Sequence, residues 1–183
     1  MKQSRNIKVN ARMCSVLCKP SEGYHESCGT LANSDDWYTP PFVFTGLGCV
    51  FDLDVASPEG GLSWIPTKDI FTKKTDGLRQ DWHGIVWCNP PYSAPSPWCH
   101  KWATHANGLL LIRADLSTKG PFIAFTAATS MWVSAGRLAF VNGAGTQTSS
   151  TTFTTVLLGA GKVADVAIAR LATSSGGIAR MLT

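Results

Sequence analysis

An apolar stretch, Val86-Trp87-Cys88, runs directly into Asn89-Pro90-Pro91-Tyr92. Neither proline has a backbone N–H, so neither donates to a sheet ladder or fits a helix interior. What they do provide is a stiff chain behind an amide side chain. An exocyclic amine on a nucleobase is a poor nucleophile because its lone pair is delocalised into the ring. Two acceptors gripping its N–H groups favour a pyramidal nitrogen and free that lone pair. The Asn89 side-chain oxygen and the Pro90 carbonyl are candidates for those acceptors, with Pro91 holding the loop before substrate arrives. Tyr92 adds a flat face for an extruded base. With a methyl donor held in line, positioning supplies much of the rate, and no metal is needed. The plainer reading of the same stretch is a proline-rich turn, NPPYSAPSP, acting as a polyproline ligand.

Carboxylates are the other groups with chemistry to offer. FDLDVAS (51–57) sets Asp52 and Asp54 in a short apolar run, and TDGL (75–78) sets Asp76 before a glycine. Ligands of open α/β sheets sit beyond the carboxyl ends of strands. FDLDVAS and WCNPPYS are both polar strand endings, which places Asp54 and Asn89 on one rim. Asp52 and Asp54 also read as strand-end turn formers, and Asp76 as a turn residue with no ligand. Cys14, Cys18, His25 and Cys28 form C-x3-C-x6-H-x2-C, a spacing open to zinc but equally to free thiols.

These residues need elements to position them. Residues 1–34 lack sustained periodicity and read as a loose basic leader, with one domain over 35–183. A short helix is expected over 40–46, a buried strand over 49–56 and a second over 84–88 closed by the prolines. The Gly- and Pro-punctuated residues 57–82 read as irregular loop. A helix over 97–107 places Trp98, Trp102 and Ala106 on one face. GLLLIRA (108–114) is a strong buried strand, and PFIAFTAATS (121–130) is helix-like. MWVSA (131–135) and RLAFV (137–141) read as strands, residues 142–153 as a Gly/Ser/Thr-rich loop, and FTTVLLGAG (153–161) as the last strand. Strands alternating with helical stretches predict an α/β fold, a sheet covered on both faces.

Length and charge narrow the partners. A chain of 183 residues with 44% apolar content suits one domain with a real core. No apolar run approaches a membrane span or a signal core, so no membrane partner and a cytoplasmic location are expected. Residues 31–100 hold eight acids against four Lys/Arg, while residues 101–183 hold seven Lys/Arg against two acids. An acidic middle suits a cationic ligand and basic flanks suit a polyanion. Lys119, Arg137 and Lys162 are the candidate phosphate contacts.

From DDWYTPPFVF through FDLDVAS, TKKTDGLRQDWHGIVWCNPPYS, LLLIRADLSTKGPF and GRLAF, residues 35–158 resemble the phage-type DNA N6-adenine methyltransferase (Dam) family. The resemblance implies a single-domain S-adenosylmethionine-dependent methyltransferase fold, Rossmann-like, with the last strand antiparallel. It implies methyl transfer from S-adenosylmethionine to adenine N6 in double-stranded DNA, at a GATC-like site, with protection from restriction as a use. WYTPP then lies across the cofactor (Trp37, Thr39, Pro40), although Trp37 also reads as core. Asp54, followed by the small Ala56, meets the methionine ammonium, and Asp76 meets the adenine amino group. Asn89, Pro90, Pro91 and Tyr92 fall on the catalytic loop. Arg113, Asp115, Gly136 and Arg137 fall in motifs without an assigned role. The glycine-rich G-x-G of many methyltransferases is absent, and LLGAGK (157–162) is a candidate displaced version. With no large recognition domain, base readout falls to loops 58–75, 93–100 and 142–152. Glutamine-N5 methylation, cytosine-N4 methylation and a catalytically silent nucleic-acid-binding module are the competing functions.

Overall fold

The structure, a computed structural model, describes residues 37–147 and 152–182. The expected leader and its cysteine–histidine cluster lie outside these residues. Seven strands are present, β1 (Phe51–Asp54), β2 (Thr67–Ile70), β3 (Val86–Cys88), β4 (Gly108–Arg113), β5 (Ser130–Val133), β6 (Thr155–Ala160) and β7 (Ile178–Met181). They form one sheet in the order β2-β1-β3-β4-β6-β5-β7. β2, β1, β3 and β4 are parallel, β6 runs antiparallel to β4 and β5, and β7 is antiparallel to β5. From β1 the chain crosses to β2 on one side and then to β3 on the other. The crevice at such a reversal is where α/β sheets bind ligands.

Four helices cover the sheet: α1 (Pro41–Leu47), α2 (Ser96–His105), α3 (Lys119–Ala127) and α4 (Lys162–Ser175). Two apolar clusters mark its two faces. Val43, Phe44 and Leu47 of α1 join Ala167, Ile168 and Leu171 of α4 against Trp87, Leu109 and Leu111. Cys99 and Trp102 of α2 join Ala124 of α3 against Val86, Leu110 and Ile112. β4 thus sends alternate residues into two cores, which explains its unbroken apolar run. A Cβ on Gly46 would stand 2.6 Å from Leu171, so glycine is what lets α1 approach α4 this closely.

Several expectations need correction. RLAFV forms no strand; Leu138 and Phe140 are buried by packing, and only Val141 makes an isolated bridge, to Tyr38 and Gln147. The loop expected over 57–82 contains β2, an edge strand whose Lys68 and Asp69 are exposed. Such charges guard a free sheet edge and erase the apolar period. The last strand is antiparallel as expected, but it is β7 and not the stretch 153–161: β6 is the first of two reversed strands, and α4 and β7 follow it. Helix α2 ends at His105, because Ala106 turns left-handed (φ 52°) and caps it, so Ala106 is exposed while Cys99 and Trp102 are buried. Among the described residues no helix is long and apolar enough to cross a membrane.

Leu110 is fully buried at the centre of the sheet. Leu110→Ala should cost about 2–5 kcal/mol of unfolding free energy, read as a lower denaturation midpoint with an unchanged denaturant slope. A loss under about 1 kcal/mol would place the second core elsewhere.

Candidate active site

A cavity of about 700 Å³ opens at the carboxyl ends of β1 and β3. This lies within the size range of small-molecule and cofactor clefts. Its wall takes Asp54 and Ala56 from the end of β1, Asn89 and Pro91 from the end of β3, and Trp37 and Thr39 from the segment before α1. Asp76 and Gly77 close another side. A Cβ on Gly77 would fall 2.1 Å from the Val55 carbonyl, so only glycine allows the Asp76 loop to lie this close to β1. Seven of the ten residues singled out in the sequence therefore share one cavity. Pro40, Pro90 and Tyr92 do not line it.

Asp52 and Asp54 separate cleanly. Asp52 accepts from the Ile85 amide at 2.8 Å and pairs with Lys68 at 2.6 Å, away from the cavity. Asp54 is 2% exposed. It accepts from the Ala56 amide at 3.2 Å and has no cationic partner among the described residues. Burial pushes its carboxyl up to about 7, against weaker relief from the Ala56 amide and the neighbouring Ser57 hydroxyl. A shielded carboxylate with no counter-ion is costly by several kcal/mol, to order of magnitude, and a cation entering the cavity would remove that cost. The other two acids of the wall are already engaged: Glu59 with Lys74 at 3.1 Å and Asp76 with Arg79 at 3.3 Å. Asp76 sits at φ 54° and accepts from the Leu78 amide at 3.2 Å. It therefore shapes the turn while its half-exposed carboxylate faces the cavity.

Asn89 is held from one side only. Its side-chain N–H donates to the Trp37 carbonyl at 2.7 Å. Its Oδ1 is buried and accepts no hydrogen bond among the described residues. The Thr39 hydroxyl, also on the wall, is likewise buried and unpartnered. Pro90 is buried behind the loop. Tyr92 leans away from the main cavity. It meets Phe140 and Phe153 edge-to-face at 5.9 and 5.5 Å and lines a separate cleft of about 190 Å³ with Arg113 and Asp115. The Arg113 guanidinium lies 4.0 Å from the Phe153 ring centre.

Direction along the sheet sorts the basic residues. Lys119 opens α3 after β4, and Arg137 follows β5, which runs the same way as β4. Both fall on the rim that bears the cavity. β6 runs oppositely, so Ala160 pairs with Gly108 at the start of β4. Lys162 and the glycines of LLGAGK therefore lie on the far rim, which removes Lys162 as a phosphate contact beside this cavity and LLGAGK as its cofactor loop.

Sequence reasoning left several wall residues unassigned. Leu62, Ile65, Trp87 and Trp98 line the cavity, and Trp64 donates its indole N–H to the Thr39 carbonyl at 3.0 Å. Leu62, Trp64 and Ile65 sit at irregular spacing between turns, where no periodicity marks them. Loop 58–75 thus walls the cavity, and part of 93–100 is α2. Part of 142–152 lies outside the described residues. Cys49, Cys88 and Cys99 are free thiols, and no His/Cys/Asp/Glu group suited to a metal occurs among the described residues.

A seven-stranded sheet in which only β6 and β7 run against the others, with helices on both faces and a cavity at the carboxyl ends of two adjacent central strands, is a Rossmann-like methyltransferase fold. The sequence profile of the DNA N-6-adenine-methyltransferase (Dam) family matches residues 27–163, and the chain belongs to that family. A relative from Haemophilus phage HP1 (strain HP1c1), named DNA N-6-adenine-methyltransferase, is 28% identical over 122 residues, covering 61% of this chain and 69% of its own. No solved structure matches the chain significantly.

The raised Asp54 carboxyl makes a signed prediction. An unfolded Asp titrates near about 3.9, so the folded state binds this proton more tightly. Stability is then lost as pH rises from roughly 4 to 7, and the loss is complete above the folded value. Asp54→Asn escapes that penalty. Its melting temperature relative to the parent should climb across this window and level off above it, in melts at fixed ionic strength. A difference that does not vary with pH would mean Asp54 is ionised in the fold throughout.

Proposed function

We propose that this protein transfers a methyl group from S-adenosylmethionine to N6 of adenine in double-stranded DNA. The observation that carries the reading is Asn89, whose amide is anchored at 2.7 Å while its buried acceptor oxygen has no partner. It stands on the same cavity as a buried, uncompensated Asp54.

The cavity suits S-adenosylmethionine in size, in charge and in its unpartnered polar groups. Asp54 would hold the ammonium, and that pairing would restore the carboxylate to its ionised form. Asp76 would accept from the adenine amino group. Trp37, Thr39 and Ala56 would line the bound molecule, with Pro40 fixing the segment behind them. When bound, the cofactor supplies a methyl group on a sulfonium centre, which needs no further activation.

The remaining work belongs to the loop. The Asn89 oxygen and the Pro90 carbonyl would accept from the two N–H groups of the target amine, withdrawing its lone pair from the ring. The Asn89 amide is already anchored before substrate arrives, so little reorganisation of that acceptor accompanies transfer. A base edge inside a duplex does not reach a rim cavity, so the adenine must be extruded. A base stacked on Tyr92 would take over a ring contact that Phe140 or Phe153 now makes. Lys119 and Arg137 supply positive charge on this rim, giving an affinity that falls with salt. A GATC-like site, action in the host cytoplasm and protection of phage DNA from restriction are what the family resemblance implies.

Labelled S-adenosylmethionine with duplex DNA, followed by nucleoside analysis, should give N6-methyladenine. Label in N4-methylcytosine or in a glutamine side chain would replace this reading. Asn89→Ala should lose on the order of a hundredfold or more in rate while cofactor affinity by calorimetry stays within about threefold. Near-normal turnover by that variant would remove Asn89 from the chemistry.

A further inference from the structure

The two ends of an asparagine amide are nearly the same size but opposite in function. Turned one way, Asn89 presents an acceptor to the target amine. Turned by a half rotation it presents two donors to two donors, which repel. Nothing in the shape of the side chain selects between these, so selection rests on what the Nδ2 group finds to bond. That partner is the Trp37 carbonyl at 2.7 Å.

Trp37 belongs to a strap with no regular ladder of its own. Trp37 packs edge-to-face on Phe140, and hydrogen bonds hold the strap as well. Tyr38 and Val141 exchange backbone bonds at 3.2 and 2.9 Å, and the Trp64 indole N–H donates to the Thr39 carbonyl at 3.0 Å. Trp64 reaches across from residues beyond β1 and touches the strap at the residue whose side chain walls the cavity. Trp64 and Asn89 thus bond to carbonyls of the same strap, at Thr39 and Trp37, two residues apart along the backbone.

We propose that Trp64 is a positioning residue for methyl transfer, holding the strap so that the Trp37 carbonyl keeps the Asn89 acceptor turned toward the target amine. This rests on the reading that Asn89 grips that amine. Removing the indole N–H while keeping an aromatic ring frees the strap, lets the carbonyl wander, and allows the amide to flip. The strap also walls the cofactor cavity, but the polar anchors proposed for the cofactor, Asp54 and Asp76, lie off it, so the effect on cofactor affinity is small and the effect on transfer is larger.

Trp64→Phe should slow single-turnover transfer by about tenfold, the scale of one lost hydrogen bond, with cofactor affinity changed less than about threefold. Asn89→Asp offers a control, since its carboxylate has no N–H to donate to the Trp37 carbonyl, and the link from the strap to residue 89 is already cut in that background. In that background Trp64→Phe should cost less than about twofold, the non-additivity expected of residues acting through one another. Equal losses in both backgrounds would overturn the proposal. A second readout needs no turnover. The Asn89 side-chain amide signals in a ¹⁵N-correlated NMR spectrum, identified by their loss in Asn89→Ser, should move toward free-amide positions in Trp64→Phe and in Trp64→Tyr. Unmoved signals in whichever of the two variants folds would show that Trp64 only packs. Normal turnover by Asn89→Ala would instead strike the reading beneath, whatever the spectra show.

Discussion

The Val55 amide donates to the Trp87 carbonyl at 3.0 Å, joining the carboxyl ends of β1 and β3. In this register Asp54 lies opposite Trp87, two residues before Asn89. Shift the pairing by one residue and every side chain changes face, so that the acid and the amide would no longer meet on one cavity. The register is held by burial on both sides. Trp87 faces the α1–α4 core, while Leu53 and Val86 face the α2–α3 core. Packing against the two cores is therefore what sets the distance between Asp54 and Asn89.

The site itself is assembled from groups left incomplete. Buried polar atoms in folded proteins nearly always find partners, and wall residues depart from that rule in one place: the Thr39 hydroxyl and the Asn89 oxygen lack partners among the described residues, and Asp54 lacks a cation. Each is shielded, so each interaction made there is stronger than it would be in water. The fold tolerates this because the incomplete groups are few and surrounded by completed ones. Asn89 is bonded at its nitrogen, Asp54 at one oxygen, and the strap at both edges.

How much of this was legible in the sequence depends on the residue. β4 announced itself because both faces bury it, and α1, β1, β3, α2 and α3 followed from apolar runs bounded by Gly and Pro. The α4 signal was weaker, since its buried face is Ala164, Ala167, Ile168 and Leu171 at helical spacing, half of it alanine, behind the glycines of LLGAGK. β2 was not legible, since an exposed edge strand reading Thr-Lys-Asp-Ile carries no apolar period. Alternation alone puts Asp52 and Asp54 on the same face. The structure separates them because the Asp52 and Leu53 amides share the Ile85 carbonyl, at 2.8 and 3.4 Å. Phe51 then joins one core and Leu53 the other, a break in period two. Trp64 was beyond reach, because a hydrogen bond to a backbone carbonyl 25 residues away leaves no pattern in the chain.

Charge divides the molecule as the chemistry requires. The cavity wall holds three acids, Asp54, Glu59 and Asp76, with Lys73 as its cation. A polyanion meeting that wall alone would be repelled. Along the same rim, beyond β4 and β5, stand Arg113, Lys119 and Arg137. Two of the acids are already paired with Lys74 and Arg79, and burial pushes the Asp54 carboxyl up to about 7, so the repulsion a nucleic acid would feel from this wall is weaker than its three acids suggest. The positive charge beyond β4 and β5 is therefore little offset by the wall, a balance that follows from electrostatics alone and requires no movement of the chain.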